Sequence, residues 1–132
     1  MMSTPINDLA ELLRSLRPRL HDGVHVFALL PPEASLDAVQ PLASFREDEG
    51  LTVVVPEHVA QRAGWPVLFR AAWISLSVHS DLQAVGLTAA VASALADAGI
   101  ACNVIAAVHH DHLFVPVASA DRAMDVLQGL SC

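Results

Sequence analysis

The segment 80–99, SDLQAVGLTAAVASALADAG, restricts the fold most, because it predicts a helix that is apolar on two sides. Leu87, Val91 and Leu95 recur at helical spacing and form one apolar stripe. A second face carries only small residues: Ala89, Ala92 and Ala96. A helix of this kind needs cover on both sides, by its own sheet and by a second layer or subunit.

The segments around this helix predict a mixed α+β domain. The second half of the chain reads as strand, helix, strand, strand and helix, over residues 71–80, 80–99, 100–108, 112–117 and 119–130. A ferredoxin-like βαββαβ unit needs one more strand, which the N-terminal half is expected to supply. The two halves are then intertwined, and neither is expected to fold alone.

The N-terminal half contains shorter predicted elements. They are a helix that begins after Ser3-Thr4 and ends at Pro18, a strand over 24–30, a short helix within 33–42, two strands around the charged turn 48–50, and a helix over 56–64 ended by Gly64. The helix that follows residue 80 has two possible starts, a capping box of Ser80 and Gln83 or the glycine at position 86.

Composition excludes several classes of function. The net charge of −7 argues against nucleic acid as a partner, and the absence of lysine excludes Schiff-base chemistry and lysine-based phosphate binding. No apolar run reaches the roughly 18 residues of a membrane span, and the N-terminus lacks a signal-peptide pattern. Two cysteines do not form a disulfide framework. We therefore expect a cytoplasmic protein, and its 54% hydrophobic content favours an oligomer.

Three segments resemble small bacterial proteins in which two ACT-like units lie in tandem: REDEGLTVVV (46–55), VHSDLQAVGLTAAVASALADAGIACNVIA (78–106) and HDHLFVPV (110–117). A similar arrangement occurs in CASTOR-type arginine sensors and, more distantly, in the regulatory domain of aspartate kinase. The resemblance implies an α+β, ferredoxin-like ACT fold of two intertwined units. The N-terminal unit, residues 1–68, is expected to be incomplete and to carry a leading helix, and residues 69–132 form the C-terminal ACT domain.

The resemblance also implies binding rather than catalysis, with no cofactor. The expected ligand is a small molecule, and an amino acid is typical of the family. It is expected to bind where two ACT units meet, and the protein is expected to be a homodimer or higher homo-oligomer. The expected ligand-binding residues are His79, Ser80, Asp81, Leu82, Val85, Gly86, Leu87, Thr88, Asn103, Val104 and Ile105, with Glu49 and Gly50 from the N-terminal unit. Asp81 departs from the family pattern, in which a serine is commoner, and this leaves the exact ligand open.

Each of these roles has a structural alternative. The amide groups from Gly86 to Thr88 suit a carboxylate, because no arginine lies between Arg70 and Arg122, but a glycine there also suits close helix–sheet packing. Asp81 and Asn103 suit a ligand ammonium, or equally a helix cap and a bond to a loop. Glu49 belongs to a charged turn of the kind that is usually solvated.

The histidine-rich segment 109–112 is the last candidate. His110 and His112 share a face if the chain is extended, so with His79 as a third ligand they suit a metal ion. Residues 109–111 are also well suited to the turn between two strands, and we favour this hairpin interpretation. Contact with a ligand or a second subunit stays open. The alternatives to a sensor are therefore a small metal-dependent enzyme and a ligand-free structural dimer.

Overall fold

A computed structural model describes residues 8–37, 39–77 and 85–131 of the chain. These residues form four α-helices, seven strands and a short 3-10 turn, which we label in chain order. The elements are α1 (Leu9–Ser15), β1 (Arg17–Leu20), β2 (His25–Leu30), β3 (Ala43–Arg46), β4 (Leu51–Pro56), α2 (Glu57–Ala63), β5 (Val67–Ser77), α3 (Leu87–Asp97), β6 (Asn103–Ala106), β7 (His110–Pro116), the 3-10 turn Val117–Ser119 and α4 (Ala120–Leu130). Over the described ranges, no helix combines the length and the apolar character that crossing a membrane requires.

The chain divides into two compact units. The terminal unit combines Met1–His21 with Ala72–Cys132, and the central unit is Asp22–Ala71. Strand β5 begins in the central unit and ends in the terminal unit.

The sheet of the terminal unit has the strand order β1-β5-β7-β6. Strand β1 runs antiparallel to β5, with Arg17 opposite Ser77 and Leu20 opposite Ile74. Strands β6 and β7 form an antiparallel hairpin. The N-terminal segment thus supplies the strand that completes the βαββαβ order of β5, α3, β6, β7 and α4, and the predicted α+β ferredoxin-like fold with intertwined units is confirmed.

Strand alternation places the core of the terminal unit under its helices. Alternate residues of β5 and β7 point to this side, and the fully buried members include Ile74, Leu76, Leu113 and Val115. The predicted stripe of α3 is buried in the same core: Leu87, Val91 and Leu95. On the small-residue face Ala89 and Ala96 are exposed.

The central unit has the strand order β3-β4-β2-β5 and one short helix in its described part, α2. The β3–β4 hairpin around the charged turn and the end of α2 at Gly64 are as predicted. The core consists of alternate strand residues and one residue of α2: Val26, Ala28, Leu30, Leu51, Val53, Val55 and Ala60.

Several predicted boundaries are wrong. The sequence does not predict strand β1, because Pro18 indicates the end of a helix. The short helix predicted within 33–42 is wrong, since the described part of this segment contains turns. Arg46 holds this segment from β3, by donating to the carbonyl oxygens of Pro32 (2.6 Å) and Ala34 (3.1 Å).

The start of one strand differs from the prediction, and one of the two alternative starts of α3 is the observed one. The described part of α1 starts at Leu9, where Asp8 Oδ1 accepts from the Glu11 amide at 3.0 Å, and the predicted cap at Ser3-Thr4 lies outside the described residues. Helix α3 starts after Gly86, the second of the two possible starts. Strand β6 starts at Asn103, three residues later than predicted.

Candidate ligand-binding site

The start of helix α3 is the first part of the candidate site. Gly86 precedes the helix with φ +103° and ψ −21°, a left-handed conformation that favours glycine. Among the described residues, no side chain caps this end of the helix with a hydrogen bond. Amides in the first turn of a helix have no partner within the helix, so they are donors suited to an anion such as a carboxylate.

The residues around this helix start lie at or near the surface of the terminal unit. Val85 is 84% exposed and Thr88 is exposed, whereas Leu87 turns into the core. A Cβ atom at Gly86 would lie 3.3 Å from Cδ2 of Leu9. The left-handed backbone and this close approach both explain the glycine structurally, and neither prevents a ligand from reaching the exposed side of the first turn.

Strand β6 carries three more of the predicted residues. Asn103 and Ile105 lie on the sheet face opposite the helices and are exposed, while Val104 packs against the core. Strand β6 is the last strand of its sheet order, so it pairs only with β7 in the described structure. Because Asn103 is exposed, its side-chain amide is available to solvent, to a ligand or to a partner.

The two predicted residues from the N-terminal half lie in the central unit. Glu49 is exposed in the β3–β4 turn, whereas Gly50 is buried. A Cβ atom at Gly50 would lie 2.7 Å from Cδ1 of Leu29 and 2.8 Å from the carbonyl oxygen of Leu30, so this glycine is required by packing. The predicted residues His79, Ser80, Asp81 and Leu82 lie outside the described residues.

The histidine segment forms a hairpin end, but one shifted from the predicted turn. Residues 107–109 make the turn, and the Ala107 amide donates to the His110 carbonyl at 3.0 Å. His110 and His112 lie in β7 on one sheet face, with ring centroids 6.2 Å apart. Asp111 was expected in the turn but is buried in β7, because its register opposite Ala106 turns it to the other face.

Four side chains on the sheet face away from the helices form what we call the His–Trp cluster: His21, Trp73, Ser75 and His112. Trp73 Nε1 donates to His112 Nδ1 at 3.0 Å, and Ser75 Oγ lies 3.2 Å from the same nitrogen. His21 Nε2 is 2.7 Å from Ser75 Oγ, and the His21 ring stacks on Trp73 with centroids 3.5 Å apart. The cluster thus joins β5 and β7 to the residue that follows β1.

The lowered pKa of His112 agrees with its role as a hydrogen-bond acceptor in the cluster. Burial lowers the pKa of His112, the nearby His110 lowers it further, and Asp111 acts in the opposite direction. A neutral His112 can accept from Trp73 at Nδ1, whereas a protonated ring would present a hydrogen there. Burial also raises the pKa of Asp111, and His112 partly offsets this rise.

The sequence analysis names His112 of this cluster as a candidate and misses His21, Trp73 and Ser75, although His21 has a signal in the sequence. Arg17, Arg19 and His21 alternate with Pro18 and Leu20, which is the spacing of a strand with one polar face. The metal interpretation of this region depends on His79, since residues 8–37, 39–77 and 85–131 contain no grouping of three metal-ligating side chains.

In the terminal unit an N-terminal strand completes the antiparallel sheet, and helices cover one face of it. This topology is that of a ferredoxin-like domain. One ACT-domain family model matches residues 4–72, and a second ACT-domain model matches residues 69–129. The chain belongs to the ACT-domain family and carries two ACT domains in tandem.

Solved structures give the same fold. A Vibrio cholerae protein of unknown function, described as a possible transport protein, is 42% identical with a TM-score of 0.85, covering 94% of this chain and 96% of that one. The regulatory subunit of aspartate kinase from Thermus flavus is 11% identical with a TM-score of 0.59, covering 88% and 96%. Escherichia coli aspartokinase III, in complex with aspartate and ADP, is 13% identical with a TM-score of 0.62, covering 90% and 33%. A search of curated proteins gives no significant match.

Proposed function

We propose that this chain is a cytoplasmic regulatory protein that binds an amino acid at the start of α3, in a homodimer or higher homo-oligomer. Tandem ACT domains, and the likeness to aspartate kinase regulatory subunits, support a ligand-binding regulatory role. The aspartate bound in the complex of aspartokinase III supports an amino acid as the ligand class. In this proposal the two ACT domains cover residues 1–68 and 69–132.

The observation that carries the proposal is the start of α3 at a left-handed glycine, where no side chain of the described ranges caps the helix. Its first-turn amides would bind the ligand carboxylate, which needs donors that no nearby lysine can supply. The exposed amide oxygen of Asn103, and in the same proposal the carboxylate of Asp81, would accept from the ligand ammonium. His79, Ser80, Leu82 and Glu49 complete the proposed set of contacts.

The edge position of β6 supports assembly with a second copy. An edge strand presents unpaired backbone donors and acceptors, which another strand can join. A ligand that contacts both copies more strongly in one arrangement than in another shifts the population toward that arrangement. The regulatory signal in this proposal is that shift, read by a separate protein.

Thermal unfolding with each of the twenty amino acids tests the proposal. A ligand of the native state must raise the unfolding temperature, so at least one amino acid is expected to do so at millimolar concentration. Gly86→Ala, which adds a Cβ atom beside the first turn, is expected to weaken binding by about tenfold, the equivalent of losing roughly one hydrogen bond.

Gly99→Ala is the matched control, because Gly99 follows the other end of α3, also has a positive φ (+76°), and has open space at its Cβ position. Both variants carry the cost of a left-handed alanine, but only Gly86→Ala is expected to change affinity. A dimer that no amino acid stabilises would instead indicate a structural scaffold, and equal binding by both variants would rule out the helix start as the site.

A further inference from the structure

The central unit contains a cavity of about 590 Å³ on the side of its sheet where an ACT domain carries helices. Its apolar walls are formed by Val39, which lies between β2 and β3, Val55 of β4, Val59 of α2, and Trp65. The described part of residues 33–42 forms turns instead of the predicted helix, and α2 is the described helix on this side of the sheet.

Two polar side chains also line this cavity, Arg62 and Gln40. Arg62 lies in the last turn of α2, and within the described part of the chain its guanidinium makes neither a hydrogen bond nor an ion pair. By contrast Arg70, in the same unit, forms an ion pair with Glu57. The cavity therefore presents one uncompensated cation beside an apolar wall.

The chemistry of this lining selects a class of ligand. The volume falls within the range of small-molecule sites, roughly 300–1,000 Å³, and a few polar groups on an apolar wall are typical of such sites. Arg62 suits a carboxylate, which a guanidinium binds through paired N–H groups. The part of the cavity lining that belongs to the described residues contains no aspartate or glutamate, so a ligand ammonium would find no counter-charge there.

We propose that this cavity binds a monocarboxylate with an aliphatic or aromatic body and no amino group. Arg62 and Gln40 contact the carboxylate, and the valines and Trp65 enclose the apolar body. This site is separate from the start of α3, lies entirely within the central unit, and does not depend on the proposed amino-acid site.

Isothermal titration of the full chain with 3-phenylpropanoate and with phenylalanine tests this proposal, because the two probes differ in the ammonium group. The first probe is expected to bind and the second to bind about fivefold more weakly at this site, because its ammonium lies near the Arg62 guanidinium and like charges about 4 Å apart repel by roughly 1 kcal/mol in water. No saturable binding of 3-phenylpropanoate at millimolar concentration would overturn the proposal. Equal affinity for both probes would also overturn it.

Arg62→Gln is expected to weaken 3-phenylpropanoate binding by about 10- to 100-fold, since hydrogen bonds to charged groups contribute roughly 1.5–3 kcal/mol. Arg14→Gln is the matched control: Arg14 also lies in the last turn of a seven-residue helix, and the substitution removes the same charge. Equal affinities in the two variants would contradict a site at Arg62.

Ala63→Leu locates the apolar body of the ligand, because Ala63 is exposed, lines the cavity and tolerates a larger side chain without disturbing the core. This variant is expected to lose binding while keeping the unfolding temperature. In a Trp73→Phe background, the fluorescence of Trp65 should change on binding. Unaltered binding by Ala63→Leu, or unaltered Trp65 fluorescence at saturation, would place the ligand elsewhere.

Discussion

The terminal and central units both have antiparallel strands, but their helices cover the strands to different extents. Three described helices, α1, α3 and α4, contribute to the core of the terminal unit, whereas the described part of the central unit has the seven-residue α2. The thin layer of the central unit leaves a cavity beside Trp65. The difference shows that one fold can tolerate the loss of a helix while its strand residues still form a buried core.

The sheet faces opposite the helices differ as well. In the terminal unit this face carries the hydrogen-bonded His–Trp cluster. In the central unit it carries phenylalanines: the rings of Phe27 and Phe69 are 5.7 Å apart, and Phe45 is 73% exposed. A polar network fixes side-chain positions through directional bonds, whereas an apolar face gains mainly from burial of its area.

The largest expected effect comes from truncating matched core leucines in the two units. Leu95 of α3 is 0% exposed in the core of the terminal unit, to which three helices contribute, and Leu51 of β4 is 1% exposed in the core of the central unit, where α2 is the described helix. Leu95→Ala is expected to lower the free energy of unfolding by roughly 3–5 kcal/mol and Leu51→Ala by roughly 2–3 kcal/mol. The smaller loss is expected in the central unit because neighbouring side chains that are packed by fewer helices can move into the cavity more easily. Urea unfolding of both variants measures the difference. A larger loss for Leu51→Ala would reverse the comparison.

The second expected effect contrasts two glycines. Gly50→Ala places a Cβ atom 2.8 Å from the Leu30 carbonyl oxygen, so the backbone of the central unit must shift, at a cost of about 1–3 kcal/mol. Gly129→Ala, in helix α4 of the terminal unit with open space around it, is expected to add up to about 1 kcal/mol of stability. Opposite changes in the free energy of unfolding are expected, and a neutral Gly50→Ala would show that the hairpin is loosely packed.

The smallest expected effect is a pH dependence from the His–Trp cluster. The pKa of His112 is below its ordinary value of 6.5 in the folded protein, so the unfolded chain binds more protons as the pH falls through this range. Its contribution to stability is present above pH 6.5 and is lost as the pH falls through the folded pKa. Burial lowers the pKa of His25 in the central unit too, and this acts in the same sense.

His112→Gln keeps an acceptor for Trp73 but cannot be protonated, so the unfolding temperature should fall less steeply on acidification below pH 6.5. The exposed His109→Gln serves as control and should retain the slope of the natural chain. Asp111 acts in the opposite sense at lower pH, because its pKa is raised. An unchanged slope in His112→Gln would assign the pH dependence to His25 and the central unit.

Local patterns made most elements of this fold predictable. The stripe of Leu87, Val91 and Leu95 specifies an amphipathic helix whatever lies around it, and the charged turn before Gly50 specifies a hairpin. The sequence does not predict strand β1, because a four-residue strand that contains a proline carries too little periodic signal, and it pairs with residues of β5 about sixty positions away. The helix predicted within 33–42 is wrong: in the described part of this segment the local hydrogen bonds are those of turns, and Arg46 of β3 adds a tertiary contact to the carbonyl oxygens of Pro32 and Ala34.

The α+β class and the order of the second-half elements follow from local patterns, because each depends on neighbours within a few residues. The tertiary structure was needed to identify Arg17–Leu20 as the strand that completes the terminal sheet. It was also needed to show that His21, Trp73, Ser75 and His112 meet and that a cavity lies beside Arg62. Pairing between distant strands selects these contacts, and residues that meet across a sheet share no local spacing from which they could be read.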